Sequence, residues 1–533
     1  MYKMKNILYV IVLFTLFACE DYLDKTDPNA TTFVEFFNDE GDLSRVVYSS
    51  YRDVFTDNNN RRMNFYMKDG RSDNAYSRIQ GDHHQNVANG NFNSSTSGFL
   101  YYYELHMKHL GRLNTFIANI DVPYVEDESV RLRYKSILEA LRFWHYFELT
   151  FRWGDVPFTL EPADLDSARK PVTPKAEILD YLFSNYEEIA NRLPKEEYSS
   201  DKYMFNQYSF KALVMRYAMY NKKYALAAKL AKEVMDSQNY ELHPVYGDLF
   251  NYNASSNNKE FIMHFNRESY SGSTYSFKDL GPHFRTGNGQ SYVVPLKSLV
   301  DSYWTLQGET IDNSNLHTKK EYELNPSLNR DPRYSASIMG HGDWFYNEQI
   351  DIFNENNPMY HEKERASASG YWFKKFVDEA DAFKSSGNME FGLLRYAEVL
   401  LTYAEAKIML NEIDVTAKSA INDVRRRAGL DMNFADVTLP TYGSYTKDQW
   451  IALIRNERRV ELAGEGLRYD DIIRWEIADK ELNKPALGYT REVNGELQSI
   501  KIEDRSFKTN NYVWPFHENT LKVNPGIKQN PGY

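Results

Sequence analysis

The chain is 533 residues long, with an apolar fraction of 42% and a charged fraction of 26%. This length exceeds what one small hydrophobic core can organise, so it predicts several lobes or an extended multi-helix architecture. The formal net charge of −12 argues against nucleic acid or anionic lipid as a partner, and the single cysteine excludes an internal disulfide.

Residues 1–18 have the pattern of a secretory signal peptide. Lys3 and Lys5 precede an apolar run at residues 7–16, which is too short to span a bilayer as a helix. A small residue, Ala18, then precedes the lone cysteine, Cys19. We therefore expect cleavage before Cys19, which would make this cysteine the first residue of the mature chain.

The mature chain divides by composition and periodicity into four parts. Residues 19–40 form a polar leader that we expect to be extended, and residues 41–239 form an N-terminal helical region. Within that region, residues 56–99 are rich in Asn, Ser, Gly and Asp, which predicts a long irregular loop. Residues 240–390 read as a loop-rich region, and residues 391–533 as a C-terminal helical region with a docked tail.

The helical regions carry apolar side chains at steps of three to five residues, which is typical of amphipathic helices. Helices are predicted at roughly residues 39–55, 99–120, 128–152, 175–193 and 206–221. Two units, at residues 208–236 and 391–428, read as helix–short turn–helix with alanines at the crossing, a design that resembles degenerate tetratricopeptide hairpins. The predicted fold is therefore mainly α, with these hairpins as a scaffold and a large loop-rich insertion at residues 240–390; that this insertion carries the ligand site is implied by the family resemblance described next.

Several segments resemble the SusD/RagB family of outer-membrane nutrient-binding lipoproteins. They are LLRYAEVLLTYAEAK at 393–407, AINDVRRRAGL at 420–430, IRNERRVELAGEGLRYDDIIRW at 454–475 and NYVWPFHENTLKVNPGIKQNPGY at 511–533. Residues 139–162 and 70–77 also look like family segments. At the N-terminus, LFAC at residues 16–19 resembles the bacterial lipobox, and the CED that begins at Cys19 resembles a signal for the outer face of the outer membrane.

The resemblance implies a lipoprotein held at the cell outer membrane by lipid on Cys19 and exposed on the surface. It also implies a lid over a SusC-like TonB-dependent transporter barrel, to which the protein delivers oligosaccharides or, in some members, peptides. No catalytic activity is implied, and no cofactor and no nucleic-acid partner are expected.

The charged stretch at residues 454–475 invites a catalytic interpretation, but its spacing favours a structural role. Glu457 and Glu461 lie one helical turn apart, as do Arg455 and Arg459. This spacing favours ion pairs along one helix, whereas acid–base catalysis needs carboxylates whose environments separate their pKa values. We therefore expect an ion-pair network here.

Patterns of metal ligation and of nucleophilic catalysis are weak. His83 and His84 are adjacent, so an extended chain would point them to opposite sides. His145 and Glu148 are one turn apart, but they share a helix with an aromatic core face. The sequence contains no HExxH, no phosphate loop and no nucleophile elbow, so no metal site is expected.

Sugar recognition needs a flat aromatic ring and a few planar polar groups that bridge neighbouring hydroxyls. Seven of the eight tryptophans look like parts of the scaffold, and the eighth, Trp344, lies in the Gly-rich, polar stretch GHGDWFYNE. Trp344 is therefore the first choice as a stacking platform, joined by two loop segments. The predicted ligand contacts are Trp344, Phe345, Asp73, Asn74, Tyr76, Arg78, His83, His84, Tyr275, Phe284 and Arg285.

The sequence favours a surface glycan-capture lipoprotein, because the lipobox and the family segments occur together in one chain. A peptide-binding member of the same family is the main alternative, since aromatic loops serve both kinds of ligand. A lipid-anchored glycan hydrolase and a helical-repeat scaffold without a small ligand are the two minor alternatives.

Overall fold

The structure is a computed structural model of the chain. It describes residues 37–55, 65–79, 83–162, 164, 169–196, 204–254, 258–265, 276–284, 287–385, 387–430 and 445–533. The predicted signal peptide, Cys19, Tyr275 and Arg285 lie outside these residues, and their predicted roles stay predictions. None of the described helices is both long enough and apolar enough to cross a membrane.

Helices are the main regular structure of the described chain. In chain order they are α1 Glu40–Phe55, α2 His83–Asn89, α3 Ser97–Ala118, α4 Glu128–Trp153, α5 Lys175–Arg192, α6 Gln207–Tyr220, α7 Tyr224–Asp236, α8 Ser276–Leu280, α9 Lys297–Ser302, α10 Lys319–Leu324, α11 Arg333–Ser337, α12 Tyr396–Met409, α13 Val415–Arg427, α14 Lys447–Glu461, α15 Arg468–Arg474, α16 Ala478–Glu481 and α17 Glu518–Val523. Short 3-10 turns include Phe65–Arg71 and Glu379–Asp381.

The strands are short and pair in twos, always antiparallel. They are β1 Ala75–Ser77, β2 Phe261–Phe265, β3 Val293–Pro295, β4 Ile338–Met339, β5 Trp344–Phe345, β6 Glu348–Gln349, β7 Trp372–Phe373, β8 Phe391–Arg395, β9 Ala486–Val493 and β10 Glu496–Glu503. The pairs are β1–β3, β2–β8, β4–β7, β5–β6 and β9–β10. Because no larger sheet forms among the described residues, the helices carry the core.

Both predicted helical hairpins are present, and the mainly α fold is confirmed. Helices α6 and α7 pack against each other, and α12 packs against α7, α13 and α14 at the centre of the body. Fully buried alanines at these crossings, such as Ala218 and Ala404, let the helices approach closely. The second hairpin begins later than predicted, because residues 391–395 form β8 and pair with β2.

Local capping signals explain where the long helices begin and end. The Asn206 side chain accepts a hydrogen bond from the Ser209 backbone N–H in a capping box that opens α6. The Asp414 carboxylate caps α13 in the same way, by accepting from the Ala417 N–H. Helix α4 ends at Gly154, whose φ of +77° favours glycine.

The charged stretch at residues 454–475 lies in a buried ion-pair network, as predicted, but its partners are not those predicted. Glu457 pairs with Arg333 at 2.5 Å and with Arg425 at 2.9 Å. Glu461 pairs with Arg395 at 2.7 Å. The predicted pairing along one helix is therefore wrong, because α14 is buried and its carboxylates meet arginines from other elements.

The C-terminal region contains a long β-hairpin that the helical prediction missed. Strands β9 and β10 are joined at Asn494 and Gly495, with φ values of +53° and +87°. Asn-Gly is the preferred pair for a two-residue hairpin turn with positive φ at both positions. The signal was therefore present in the sequence.

Candidate ligand-binding surface

The stretch predicted to carry the stacking platform forms a tight β-hairpin, with Trp344 opposite Gln349 and Phe345 opposite Glu348. Successive strand side chains point to opposite faces, so one of the two rings is buried and the other is not. Phe345 is buried, whereas 66% of Trp344 is exposed. Trp344 is the most exposed of the eight tryptophans.

The hairpin turns at Tyr346 and Asn347, which have φ values of +49° and +60°. A left-handed backbone is unfavourable for a bulky residue such as Tyr346, so other contacts must hold it there. The Tyr346 N–H donates a hydrogen bond to Glu379 Oε1 at 2.7 Å. The Tyr346 ring lies 4.9 Å from the ring of Phe383 and 5.4 Å from that of Phe284, measured between centroids.

Three partly exposed rings therefore gather around the hairpin. They are Trp344, Tyr346 and Phe383, with exposed fractions of 66%, 40% and 48%. Phe284 and Phe345 are buried, and Phe284 contacts Phe345, Tyr346 and Phe383. We call these three exposed residues the aromatic face: Tyr346 and Phe383 are in ring contact, and Trp344 is their exposed neighbour on the hairpin, on the opposite side of the strand from Phe345.

Carboxylates near the aromatic face hold its loops in place. Asp381 accepts a hydrogen bond from the Tyr252 hydroxyl at 2.6 Å and pairs with Lys384 at 3.3 Å. Burial and the Asp381 carboxylate raise the pKa of Tyr252, which keeps its hydroxyl protonated. The Asp378 carboxylate accepts from the Tyr252 and Ala380 backbone N–H groups. These contacts give both carboxylates a structural role in holding the loops.

A series of half-buried polar side chains continues from the aromatic face. The Asn288 Nδ2 donates to the carbonyl of Lys384, next to Phe383, at 2.7 Å. The Gln290 Nε2 donates to the Asn288 carbonyl at 3.3 Å, and Arg78 donates to the Gln290 carbonyl. We call Asn288, Gln290, Arg78 and Tyr292 the polar strip.

The far end of the polar strip adjoins β1. The Arg78 guanidinium lies 5.3 Å from the centre of the Tyr292 ring. The backbone N–H of Arg78 donates a hydrogen bond to the Tyr292 carbonyl at 2.7 Å. Tyr76 lies two residues before Arg78, so both point to the same face, and both are half-buried. The structure thus places Tyr76 beside Arg78 at one end of the polar strip, and the aromatic face with Phe284 at the other end.

Asp73 and Asn74 are buried away from solvent and engaged by arginines. Both carboxylate oxygens of Asp73 accept hydrogen bonds from Arg468 at 2.8 Å, and Arg459 donates to the Asn74 Oδ1 at 2.8 Å. Burial alone raises the pKa of Asp73, but Arg459 and Arg468 together hold it well below its usual range. We therefore leave both residues out of the ligand surface proposed below.

His83 and His84 begin α2, so the expectation of an extended chain at this point is wrong. The His83 ring packs 4.9 Å from both Phe99 and Trp514, and Arg71 Nε donates to His84 Nδ1 at 2.9 Å. Both histidines are buried, which does not favour ligand contact. No group of three or more His, Cys, Asp or Glu suited to a metal ion occurs in the part of the chain that the structure describes.

Sequence reasoning did not find three parts of this surface. Tyr346 follows directly on Trp344 and Phe345, so its position in the same polar stretch was a usable signal. Phe383 and the amides of Asn288 and Gln290 had no local signal, because only the folded chain brings them beside the hairpin.

Comparisons with known proteins agree with this architecture. A sequence model of the SusD family matches residues 259–533. The chain is 26% identical to the SusD-like protein P38 of Formosa agariphila over the full length of both chains. The crystal structure of a SusD-like carbohydrate-binding protein from Bacteroides fragilis has a TM-score of 0.82 and 24% identity, over 92% of this chain and 100% of that one. A laminarin-binding SusD-like protein has a TM-score of 0.71 and 21% identity, over 93% and 100% of the two chains.

Proposed function

The chain belongs to the SusD family, and from this premise we propose that it captures oligosaccharides at the cell surface and delivers them to a partner TonB-dependent transporter. The observation that carries the proposal is the aromatic face. Trp344, Tyr346 and Phe383 keep 66%, 40% and 48% of their surface exposed, so they offer flat apolar surfaces of the kind that sugar rings stack against.

The groups beside the aromatic face suit a neutral, polyhydroxylated ligand. The amides of Asn288 and Gln290 are half-buried planar groups that can donate and accept hydrogen bonds. Similarity to proteins described as carbohydrate-binding and laminarin-binding supports the same ligand class. Because Asp378, Glu379 and Asp381 hold loops in place, the proposed role is binding without catalysis.

Attachment to the outer membrane is part of the proposal. Lipid on Cys19 would hold the body at the surface, since each acyl methylene buried in the membrane contributes about 0.8 kcal/mol. The support is the resemblance of residues 16–19 to a lipobox and of residues 19–21 to a surface signal. The transporter is proposed as the partner because the chain belongs to this family.

Trp344→Ala tests the ligand site. Affinity electrophoresis against a panel of polysaccharides that includes laminarin would identify a binder, and calorimetry would measure its affinity. We expect the substitution to weaken binding by about 1–3 kcal/mol, because a central exposed ring in a binding surface carries a large share of the energy. The thermal midpoint should stay nearly unchanged, because the side chain is 66% exposed.

Tyr124→Ala is the matched control, because Tyr124 is also an exposed ring, with 74% of its surface accessible. It should leave glycan affinity unchanged. Binding to peptides with no binding to any glycan would replace the oligosaccharide with a peptide ligand. Equal affinity of wild type and Trp344→Ala would remove the aromatic face as the site.

A further inference from the structure

Arg78 is the charged side chain of the polar strip, and it lies at the end away from the aromatic face. Its guanidinium is half-buried and rests 5.3 Å from the centre of the Tyr292 ring. Two backbone carbonyls hold it, since Nη2 donates to the carbonyl of Gln290 and Nη1 donates to that of Glu364 at 3.4 Å. The fold therefore sets the position of this cation before any ligand binds.

The positive charge of Arg78 is not paired within the described chain. None of the described carboxylates forms an ion pair with it, and its buried Nε has no acceptor. An arginine has five N–H groups, and the two carbonyl contacts use two of them. One N–H group on each Nη atom is therefore left for an acceptor from outside the chain.

The surroundings of Arg78 do not replace a bound carboxylate. Burial is the main cause that lowers the pKa of Arg78, Tyr292 and Glu364 raise it less, and Arg365 lowers it further. The pKa of Arg468 is raised instead, because its pairing with Asp73 outweighs the effect of burial. An arginine stays protonated at neutral pH in both settings, so an anion bound at Arg78 would offset part of the cost of burying this charge.

A second arginine lies within electrostatic reach of Arg78. Arg365 and Glu364 are both exposed, and neither forms an ion pair with a described residue. The Glu503–Arg505 pair beside β1, at 3.0 Å, adds no net charge. Two guanidinium groups therefore outnumber one unpaired carboxylate at this end of the polar strip.

The surroundings of the aromatic face carry the opposite charge. Asp378, Glu379 and Asp381 lie beside it, and Lys384 is paired with Asp381 at 3.3 Å. An anionic group is thus repelled near the aromatic face and attracted near Arg78. The surface therefore has a direction, in which a neutral sugar ring suits one end and a ring with a negative charge suits the other.

We propose that the captured oligosaccharide carries an anionic substituent, a carboxylate or a sulfate ester, and that Arg78 binds it. This inference rests on the proposed function, because it concerns the ligand of the same surface. It adds the chemical class of that ligand. The planar guanidinium can donate two parallel hydrogen bonds to such an oxyanion, while the amides of the polar strip serve the neutral hydroxyls.

Matched pairs of polysaccharides test the substituent. Polygalacturonate and alginate are each compared with a carboxyl-reduced form, and carrageenan with a desulfated form; laminarin is the neutral reference. Affinity electrophoresis of the wild type identifies the pair that binds, and calorimetry with oligosaccharides of that pair measures the affinities. We expect the charged member to bind about tenfold to a hundredfold more tightly than its neutral counterpart. The difference should shrink as salt is added.

Substitutions assign the preference to Arg78. Arg78→Gln should remove most of the preference, and Arg78→Lys should restore part of it, because lysine keeps the charge but not the planar fork. Arg365→Gln leaves the carbonyl contacts of Arg78 intact and should weaken binding of the charged member about twofold to fivefold at low salt. Arg169→Gln is the matched control, since Arg169 is exposed and also forms no ion pair with a described residue. It should change neither affinity.

The outcomes separate this inference from the proposed function. Binding of laminarin or of a neutral member, with no tighter binding of the charged member in any pair, overturns the inference and leaves the proposed function standing. Failure to bind any glycan overturns the proposed function, and the inference falls with it. A preference that survives Arg78→Gln overturns Arg78 as the contact. Thermal midpoints confirm that the variants are folded, and the wild-type comparison needs no variant.

Discussion

Asp69 shows how one buried acid makes stability depend on pH. It lies on the 3-10 turn Phe65–Arg71 with no exposed surface, and its Oδ2 accepts a hydrogen bond from the Gly464 N–H at 2.6 Å. Burial raises the pKa of Asp69 to about 7; the Gly464 N–H lowers it somewhat, and the nearby Glu465 raises it. The folded state therefore holds this proton at pH values where the unfolded chain has released it.

The consequence is a loss of stability as pH rises. In the unfolded chain the pKa of an aspartate is about 3.9, so the protonated Asp69 stabilises the fold fully below that value. This contribution is lost as pH rises through about 7. We expect Asp69 to make the free energy of unfolding fall by roughly 2–4 kcal/mol between pH 4 and pH 8.

Asp69→Asn isolates this effect, because asparagine mimics the protonated acid at every pH. Urea denaturation at several pH values between 5 and 8 should show a flatter dependence for the variant than for the wild type. Asp121→Asn, at an exposed site, should leave the wild-type slope unchanged. The same slope in wild type and Asp69→Asn would contradict the shifted pKa.

At the scale of single residues, the polar local sequence predicts the exposure of Trp344 correctly but misses the burial of Asp73 and His83. Trp344 could be chosen because its neighbours are glycine and polar residues, and it is exposed. Asp73 lies in a similarly polar stretch, yet its carboxylate forms an ion pair with Arg468, which lies 395 residues further along the chain. No local pattern reveals such a partner, because a polar residue in a loop-like sequence can be solvated or paired.

At the scale of elements, Arg395 joins the loop-rich region to the helical body. It ends β8 and is almost fully buried, and it pairs with Glu260, Glu461 and Glu465, each at 2.7 Å. Glu260 lies just before β2, and Glu461 and Glu465 lie at the end of α14 and in the turn that follows it. One guanidinium therefore shares the compensation of three buried carboxylates with Arg427, which pairs with Glu260 and Glu461, and with Lys375, which pairs with Glu465.

Arg395→Met should destabilise the protein by about 3–5 kcal/mol, because it keeps the volume and leaves the three carboxylates with less compensation. Thermal or urea unfolding measures the loss. Arg426→Met is the matched control: Arg426 pairs with Asp423 at 2.9 Å, but both side chains are about half exposed. Its substitution should cost less than about 1 kcal/mol. Equal losses in the two variants would contradict a special role for the buried network.

Long amphipathic helices are the elements that the sequence predicts best. The predicted helix at 128–152 is observed as Glu128–Trp153, because its apolar period and its capping residues agree. The sequence predicts residues 391–395 as part of the following helix, because a short apolar run has no period of its own. Only its pairing with β2 makes this segment a strand. Tertiary contacts therefore decide the short elements.

At the scale of the whole molecule, the candidate site consists of side chains from distant segments that meet only in the folded chain. The aromatic face combines a hairpin near residue 345 with Phe383, and it rests on Phe284. The polar strip adds residues 288–292 and Arg78 from the N-terminal part of the chain. The loop-rich composition of residues 240–390 indicated the region, but the spatial order of its side chains could not be predicted from any one segment.

This arrangement predicts how affinity depends on the length of the ligand. From Asn288 to Tyr292 the polar strip extends no more than about 14 Å, and it continues from the aromatic face. A short oligosaccharide can occupy the aromatic face alone, whereas a longer linear one can also reach the amides and Arg78. Calorimetry with a size series should therefore show affinity rising with each added sugar until both parts are covered, and then a plateau.

Asn288→Ala with Gln290→Ala should remove the gain of the longer ligands and leave the affinity of the shortest binder unchanged. An equal loss for all lengths would mean that the strip supports the aromatic face and does not contact the ligand.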